Sequence, residues 1–252
     1  MEKKEAVCLE GRDGVIAAFR NHVSPYKSEF YESAGMKFVM GKRDGPYIFG
    51  EAGPGESAPK LLNLHCNGGV FNMGHRWKEG WEVLQNAVEE DHLDIGNHHL
   101  LSRPRAELGV RLAQVTPGDI RWTIYGVSGG EAVDLAIKMV WGYSGRRKII
   151  VAHGAYHGNT GLSVLTGDSK FLSPFNMDQA TDTFQRVHHG NTEEILAAID
   201  KDTAAVLLET IPATLGMLVP PADYYPRIRA KCDKVGAQLI IDEVQTGMGR
   251  CG

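Results

Sequence analysis

An apolar run near the end of the chain, QLIIDEV (238–244), stops on two adjacent acids, Asp242 and Glu243. A second run, AAVLLET (204–210), carries its acid, Glu209, in the same place. A carboxylate at the end of a buried strand is costly unless a cation or hydrogen-bond donors meet it. One helix separates the two runs, so a right-handed crossover brings Glu209 and Asp242 to one edge of a sheet. Together they could hold a cationic group on a ligand. Glu243 alternates to the opposite strand face and reads as structural. Capping of a following turn is the plain alternative for Asp242.

Two upstream segments add groups of other chemistry. In GVSGGEAVDLA (126–136) a strand ends at Val127, Ser128-Gly129-Gly130 forms a turn, and a helix begins near Glu131. The first N–H groups of such a helix are unpaired, lie at the positive end of its dipole, and can cradle a phosphate or carboxylate. Taken alone, a plain glycine-rich strand-to-helix turn fits the same residues. In HGAYHGNTG (153–161), His153 and His157 are four apart, but Gly154 and Gly158 disfavour a helix and no H-E-x-x-H is present, so a metal site is not expected. Tyr156 could offer its ring face to a planar ligand or be an ordinary half-buried loop tyrosine. The pair His98-His99 reads as a loop feature.

These groups need a scaffold. Residues 132–141 place Val133, Ala136, Ile137 and Val140 on one helical face. Residues 148–152, 204–210 and 238–244 read as strands, and 193–199 and 223–235 as helices. WTIYGV (122–127) reads as a further strand. Strands apolar on both faces, alternating with helices, predict an α/β fold with a mostly parallel sheet covered on both sides. Ligands of such sheets gather at the carboxyl ends of the strands. Earlier in the chain, 13–23, 77–90 and 104–115 read as helices, with Trp81, Leu84 and Val88 on one face. Residues 37–40 and 47–49 read as a hairpin around Arg43-Asp44-Gly45, and 50–59 as a surface loop.

With 42% hydrophobic and 23% charged residues, the 252-residue chain has ordinary globular composition. A net charge of -4 argues against a nucleic-acid partner, which needs a basic face. No apolar run reaches the roughly 18–20 residues of a membrane span. The opening MEKKEAVCLE has charges but no apolar stretch, and Cys8, Cys66, Cys232 and Cys251 are scattered, so free thiols in a cytoplasmic protein are expected.

The ordered set S-G-x-E-A (128–132), Y-H-G (156–158) and D-E-V-Q-T-G-x-G-R (242–250) resembles the class III (omega) aminotransferases, and GGVFNMGHR (68–76) is similar to that family's N-terminal G…LGH segment. The likeness runs from about residue 47 to 252. It implies a fold type I, aspartate-aminotransferase-like large domain, incomplete at the C-terminus. Residues 1–100 would be an N-terminal segment with part of the small domain and linking helices, and 101–252 part of the domain that binds the cofactor, pyridoxal 5'-phosphate (PLP). Asp242 would pair with the protonated pyridine nitrogen, keeping the ring an electron sink. Ser128, Gly129 and Gly130 would hold the phosphate. Tyr156 would cover one ring face and Val244 the other, while Gln245 would reach the ring hydroxyl. Glu209 would lie on the substrate side, bonded to Gln245, and His157 would help position this wall.

The implied activity moves an amino group from an amino acid or amine to a 2-oxo acid, in a homodimer. Position 130 is glycine where the family has Thr, Ser or Ala; ETIPATLG (209–216) replaces the usual E-P-x-x-G-x-G; and the connection at 49–61 is long. The family's covalent lysine follows D-E-V-Q-T-G by some tens of residues, so the chain is expected to be the truncated N-terminal part of a longer enzyme, inactive alone. Lys138 and Lys148 read as solvated or packing residues. A non-catalytic remnant, a pocket subunit of a split enzyme, or a same-fold aminomutase or decarboxylase are the other readings. A dinucleotide-binding fold lacks its G-x-G-x-x-G.

Overall fold

The computed structural model describes residues 9–90, 100–177 and 183–251, which leaves Cys8 and the His98-His99 pair outside the described residues. The chain divides into two compact units, Met1–Asn97 and His98–Gly252.

In the first unit, helices α1 (Gly11–His22) and α2 (Pro25–Ser33) precede an antiparallel sheet of β1 (Met40–Asp44), β2 (Tyr47–Gly50) and β3 (Lys60–Leu62), in that order. The Ser24 hydroxyl accepts from the Lys27 N–H at 3.2 Å, and Pro25 occupies the first helical position, where its missing N–H costs nothing. The β1–β2 hairpin pairs Asp44 with Tyr47, so its turn is Gly45-Pro46, with Gly45 at φ 50°. The first strand therefore starts later than the 37–40 expected from the sequence. A one-turn segment α3 (Cys66–Gly69) and helix α4 (Lys78–Glu89) follow. Trp81, Leu84 and Val88 on α4 are 57%, 50% and 64% exposed.

The second unit opens with α5 (Arg103–Val115) and continues α6 (Gly129–Ser144), β4 (Lys148–Ala152), the one-turn helices α7 (Ser163–Thr166) and α8 (Ser169–Leu172), β5 (Phe184–Val187), α9 (Thr192–Ala198), β6 (Thr203–Glu209), α10 (Tyr224–Val235) and β7 (Gln238–Asp242). The four strands form one parallel sheet in the order β5-β4-β6-β7. Val133, Ile137 and Val140 of α6 pack on Ile149, Val151, Ala205 and Leu207 on one face. On the other face Ile195 of α9 and Tyr224, Ile228 and Cys232 of α10 pack on Ile150, Val206 and Leu208. Every residue of β6 is buried, which is why that run carries no polar alternation. The amino edge is tied by two cations. Lys148 Nζ donates to the Ala198 carbonyl (2.8 Å) and Asp200 (2.7 Å). Arg146 donates to the carbonyls of Thr203 (3.0 Å), Val235 (3.0 Å) and Gly236 (3.3 Å).

The expected strand at 122–127 does not form. Among the described residues no strand pairs with this segment, and Trp122, Ile124 and Val127 are 85%, 58% and 93% exposed. A strand requires a neighbour to take up its N–H and C=O groups, and apolar content alone does not supply one. The segment is held instead by the Tyr125 hydroxyl, which donates to the Arg105 carbonyl at 2.7 Å.

Candidate active site

The parallel register sets Glu209 directly beside Asp242 at the carboxyl ends of β6 and β7. The Asp242 carboxylate is buried and both of its oxygens are engaged. His157 Nδ1 donates to Oδ2 at 2.7 Å, and the Val244 N–H donates to Oδ1 at 3.0 Å. The side chains of His157 and Asp242 are 0% and 5% exposed, and no lysine or arginine among the described residues pairs with this acid. Among the described residues, the buried His157 Nε2 has no hydrogen-bond partner. Glu209 accepts the Tyr156 N–H at 3.0 Å. Burial pushes its carboxyl above the usual range, against the pull of that N–H and of His157, while Asp242 adds to the rise. Among the described residues Glu209 makes no hydrogen bond to Gln245, the partner expected from the sequence; its Oε1 takes the Tyr156 main-chain N–H, and Gln245 is partly buried. Glu243 points elsewhere, as its alternation implied, and accepts from the hydroxyls of Thr210 and Thr246.

The turn before α6 is a well-capped helix start. The Ser128 hydroxyl accepts the Glu131 N–H at 3.2 Å, and the Glu131 carboxylate accepts the Val127 N–H. The N–H groups of Gly129 and Gly130 have no partner among the described residues, so two donors at the positive helix end remain for an anion. A Cβ at Gly129 would sit 2.9 Å from both Val244 methyls. One at Gly130 would sit 2.8 Å from Thr160 Oγ1. The close approach is mutual: a Cβ at Gly158, which has φ +122°, would lie 2.7 Å from Gly130 Cα. This packing accounts for glycine at position 130. The three turns at 128–130, 156–158 and 242–244 therefore interlock, although 85 positions separate His157 from Asp242.

The Tyr156 ring is 41% exposed and meets Phe171 edge-on at 5.2 Å; Val244 is 60% exposed. His153 does not join His157; its ring packs on His188 at 4.9 Å. Lys148 is occupied at the opposite edge of the sheet, and Lys138 is exposed on α6. Sequence reasoning missed Asp134, which accepts from the Ser163 N–H (2.6 Å) and the Thr160 hydroxyl (3.4 Å) and so fastens the 157–163 loop to α6. It also missed Tyr225, whose hydroxyl bonds the carbonyls of Glu209 (2.7 Å) and Thr210 (3.0 Å). The arrangement offers a buried anion to a cationic group and two free N–H groups to an anionic one.

A family model described as aminotransferase class-III matches residues 32–252. An uncharacterised aminotransferase of Archaeoglobus fulgidus is 50% identical over 242 residues, which cover 96% of this chain and 55% of that protein. A putrescine aminotransferase of Pectobacterium atrosepticum is 34% identical, covering 94% of this chain and 52% of that protein. The crystal structure of taurine:2-oxoglutarate aminotransferase from Bifidobacterium kashiwanohense, solved with PLP and glutamate, superposes with a TM-score of 0.80 at 22% identity, over 99% of this chain and 58% of that one. The chain thus spans about half the length of the relatives it matches. Its fold is that of the fold type I PLP enzymes. Matched over most of its length by the family model and half identical to one relative, the chain belongs to the class III aminotransferases, whose cofactor is pyridoxal phosphate.

Proposed function

We propose that this chain supplies the cofactor-holding part, within residues 101–252, of a cytoplasmic, homodimeric enzyme that transfers an amino group from an amino acid or amine to a 2-oxo acid. The observation that carries the reading is the buried Asp242 carboxylate, fixed by His157 and the Val244 N–H and, among the described residues, lacking a lysine or arginine partner, in a site whose Gly129 and Gly130 N–H groups meet no partner among those residues. A buried carboxylate calls for a cation, and a protonated ring nitrogen is one. Two free N–H groups at a helix start call for a phosphate. Both demands fit PLP, which when bound supplies an electron sink for the carbanion left at a substrate carbon.

The chain's own residues then have distinct duties. Asp242 holds the proton on the ring nitrogen. His157 and the Val244 N–H fix the two carboxylate oxygens, so that the acid needs no reorganisation. Ser128 sets the helix start, and Gly129 and Gly130 bind the phosphate. Tyr156 and Val244, both still exposed, would cover the faces of the ring and shield it from water. Gln245 faces the ring hydroxyl, and Glu209 stands on the substrate side. The test loads the whole enzyme to which this chain contributes with PLP and incubates it with panels of amines and amino acids against pyruvate or 2-oxoglutarate. New amino acid is measured by chromatography. Cofactor binding without transfer to any acceptor would overturn the transaminase reading.

A further inference from the structure

The first unit contains a second constellation that uses none of the residues above. An open cleft of about 430 Å³ is lined by residues of β1, of the stretch after β3 and of α4, among them Arg43, His65, Phe71, Arg76 and Trp81, and none of the described residues that line it is acidic. That volume is within the range of small-molecule sites. The guanidinium groups of Arg43 and Arg76 make no ion pair or hydrogen bond among the described residues, whereas Arg12 and Arg20 of the same unit are paired with Glu56 and Glu32. His65 Nδ1 accepts the Gly68 N–H at 3.2 Å, so in the neutral ring Nε2 carries the proton and is a donor.

The wall behind these groups is stiff. Asn63 binds the Cys66 N–H at 2.9 Å and His75 Nε2 at 2.8 Å, and His75 is buried against the Phe71 ring at 4.4 Å. Three non-glycine residues of this stretch, Cys66, Asn67 and Arg76, hold left-handed backbones at φ 49°, 52° and 54°. Conformations of that kind cost free energy and persist where surrounding structure fixes them, often around ligands. The Arg76 guanidinium lies 6.0 Å from the Trp81 ring centroid, which presents an aromatic face next to a cation.

We infer that this cavity is a binding site for a small organic oxyanion, a carboxylate or phosphate on a planar body, with Arg43, Arg76 and His65 taking the charge and Phe71 and Trp81 the body. Guanidinium forks match both headgroups. The test loads the full chain with PLP, removes unbound cofactor by gel filtration, and titrates it with benzoate, phenyl phosphate and neutral benzamide while following tryptophan fluorescence. Saturable quenching by at least one anion is expected, with benzamide at least about tenfold weaker. The tighter anion identifies the headgroup. The R43Q/R76Q double variant should weaken binding at least about tenfold. Lys42→Gln, an equal charge change per residue on an exposed side chain, should leave binding within about twofold. Trp81→Phe should abolish the quench. Benzamide binding as tightly as the anions, no saturable binding by either anion, or unchanged binding by a folded double variant would overturn the inference.

Discussion

Asp242→Asn keeps the shape of the side chain and removes its charge, and the structure sets both consequences. The wild-type carboxylate accepts from two donors, His157 Nδ1 and the Val244 N–H. Asparagine has one acceptor oxygen and one NH2. The Val244 donor is main chain and fixed, so the asparagine oxygen must stay with it and its NH2 must face His157. The imidazole can accommodate this by moving its proton to Nε2, which is buried and has no partner. The swap leaves one buried donor unpaired at a cost of about 1–3 kcal/mol, partly offset by relief from burying a charge. A domain with the usual stability of about 5–15 kcal/mol tolerates that. Cofactor affinity falls as well. A charge-assisted hydrogen bond to the ring nitrogen becomes a neutral one, a loss of about 1–2 kcal/mol. That is roughly a 5- to 30-fold rise in Kd. Equilibrium PLP titration by absorbance gives the Kd, and urea unfolding gives the stability. A folded variant whose Kd stays within about twofold of wild type would mean that Asp242 does not face the cofactor.

Gly158→Ala places a methyl 2.7 Å from Gly130 Cα at φ +122°. Strain and overpacking together cost about 2–6 kcal/mol. A fall in Tm of at least roughly 5 °C is expected, and an unchanged melt would refute the close approach of the two loops. Glu209→Gln keeps an acceptor for the Tyr156 N–H while removing a carboxylate that burial destabilises, so unfolding in urea at pH 7 should show equal or greater stability; a large loss would count against the buried-charge account. Burial lowers the pKa of His189, so the unfolded chain takes up a proton first, and stability is full above about pH 6.5 and lost as pH falls below it. The urea midpoint should drop between pH 7.5 and 5.5, and His189→Phe should flatten that slope. The Asp200 carboxyl, held at about 2 by Lys148, contributes only in a lower window, below its ordinary value near 3.8.

The helices and inner strands of the second unit could be read from sequence because their signals are local. Residues 204–208 are apolar throughout, as a strand buried on both faces must be. The same local evidence misled at 122–127, since a strand is made by its neighbour and not by its own residues. FQRV (184–187) went unread for the opposite reason. It is an edge strand whose Gln185 is exposed, so no continuous apolar run marks it. In the site, the types and strand-end positions of Asp242, Glu209 and Tyr156 were legible. Their bonds were less so, because the donor to Glu209 is a main-chain N–H. Asp134 was passed over because an acid on an amphipathic helix looks solvated until the loop it grips is in view.

The cations at the amino edge of the sheet separate maintenance from chemistry. Lys148 and Arg146 tie β4, β6 and the approach to β7 at one end, while every residue assigned to the cofactor stands at the other. Substitutions that reinforce the amino edge can therefore be screened for heat tolerance with little risk to turnover. Diversity intended to change substrate belongs at the opposite rim. The sheet gives an engineer two surfaces that can be varied in separate libraries and recombined.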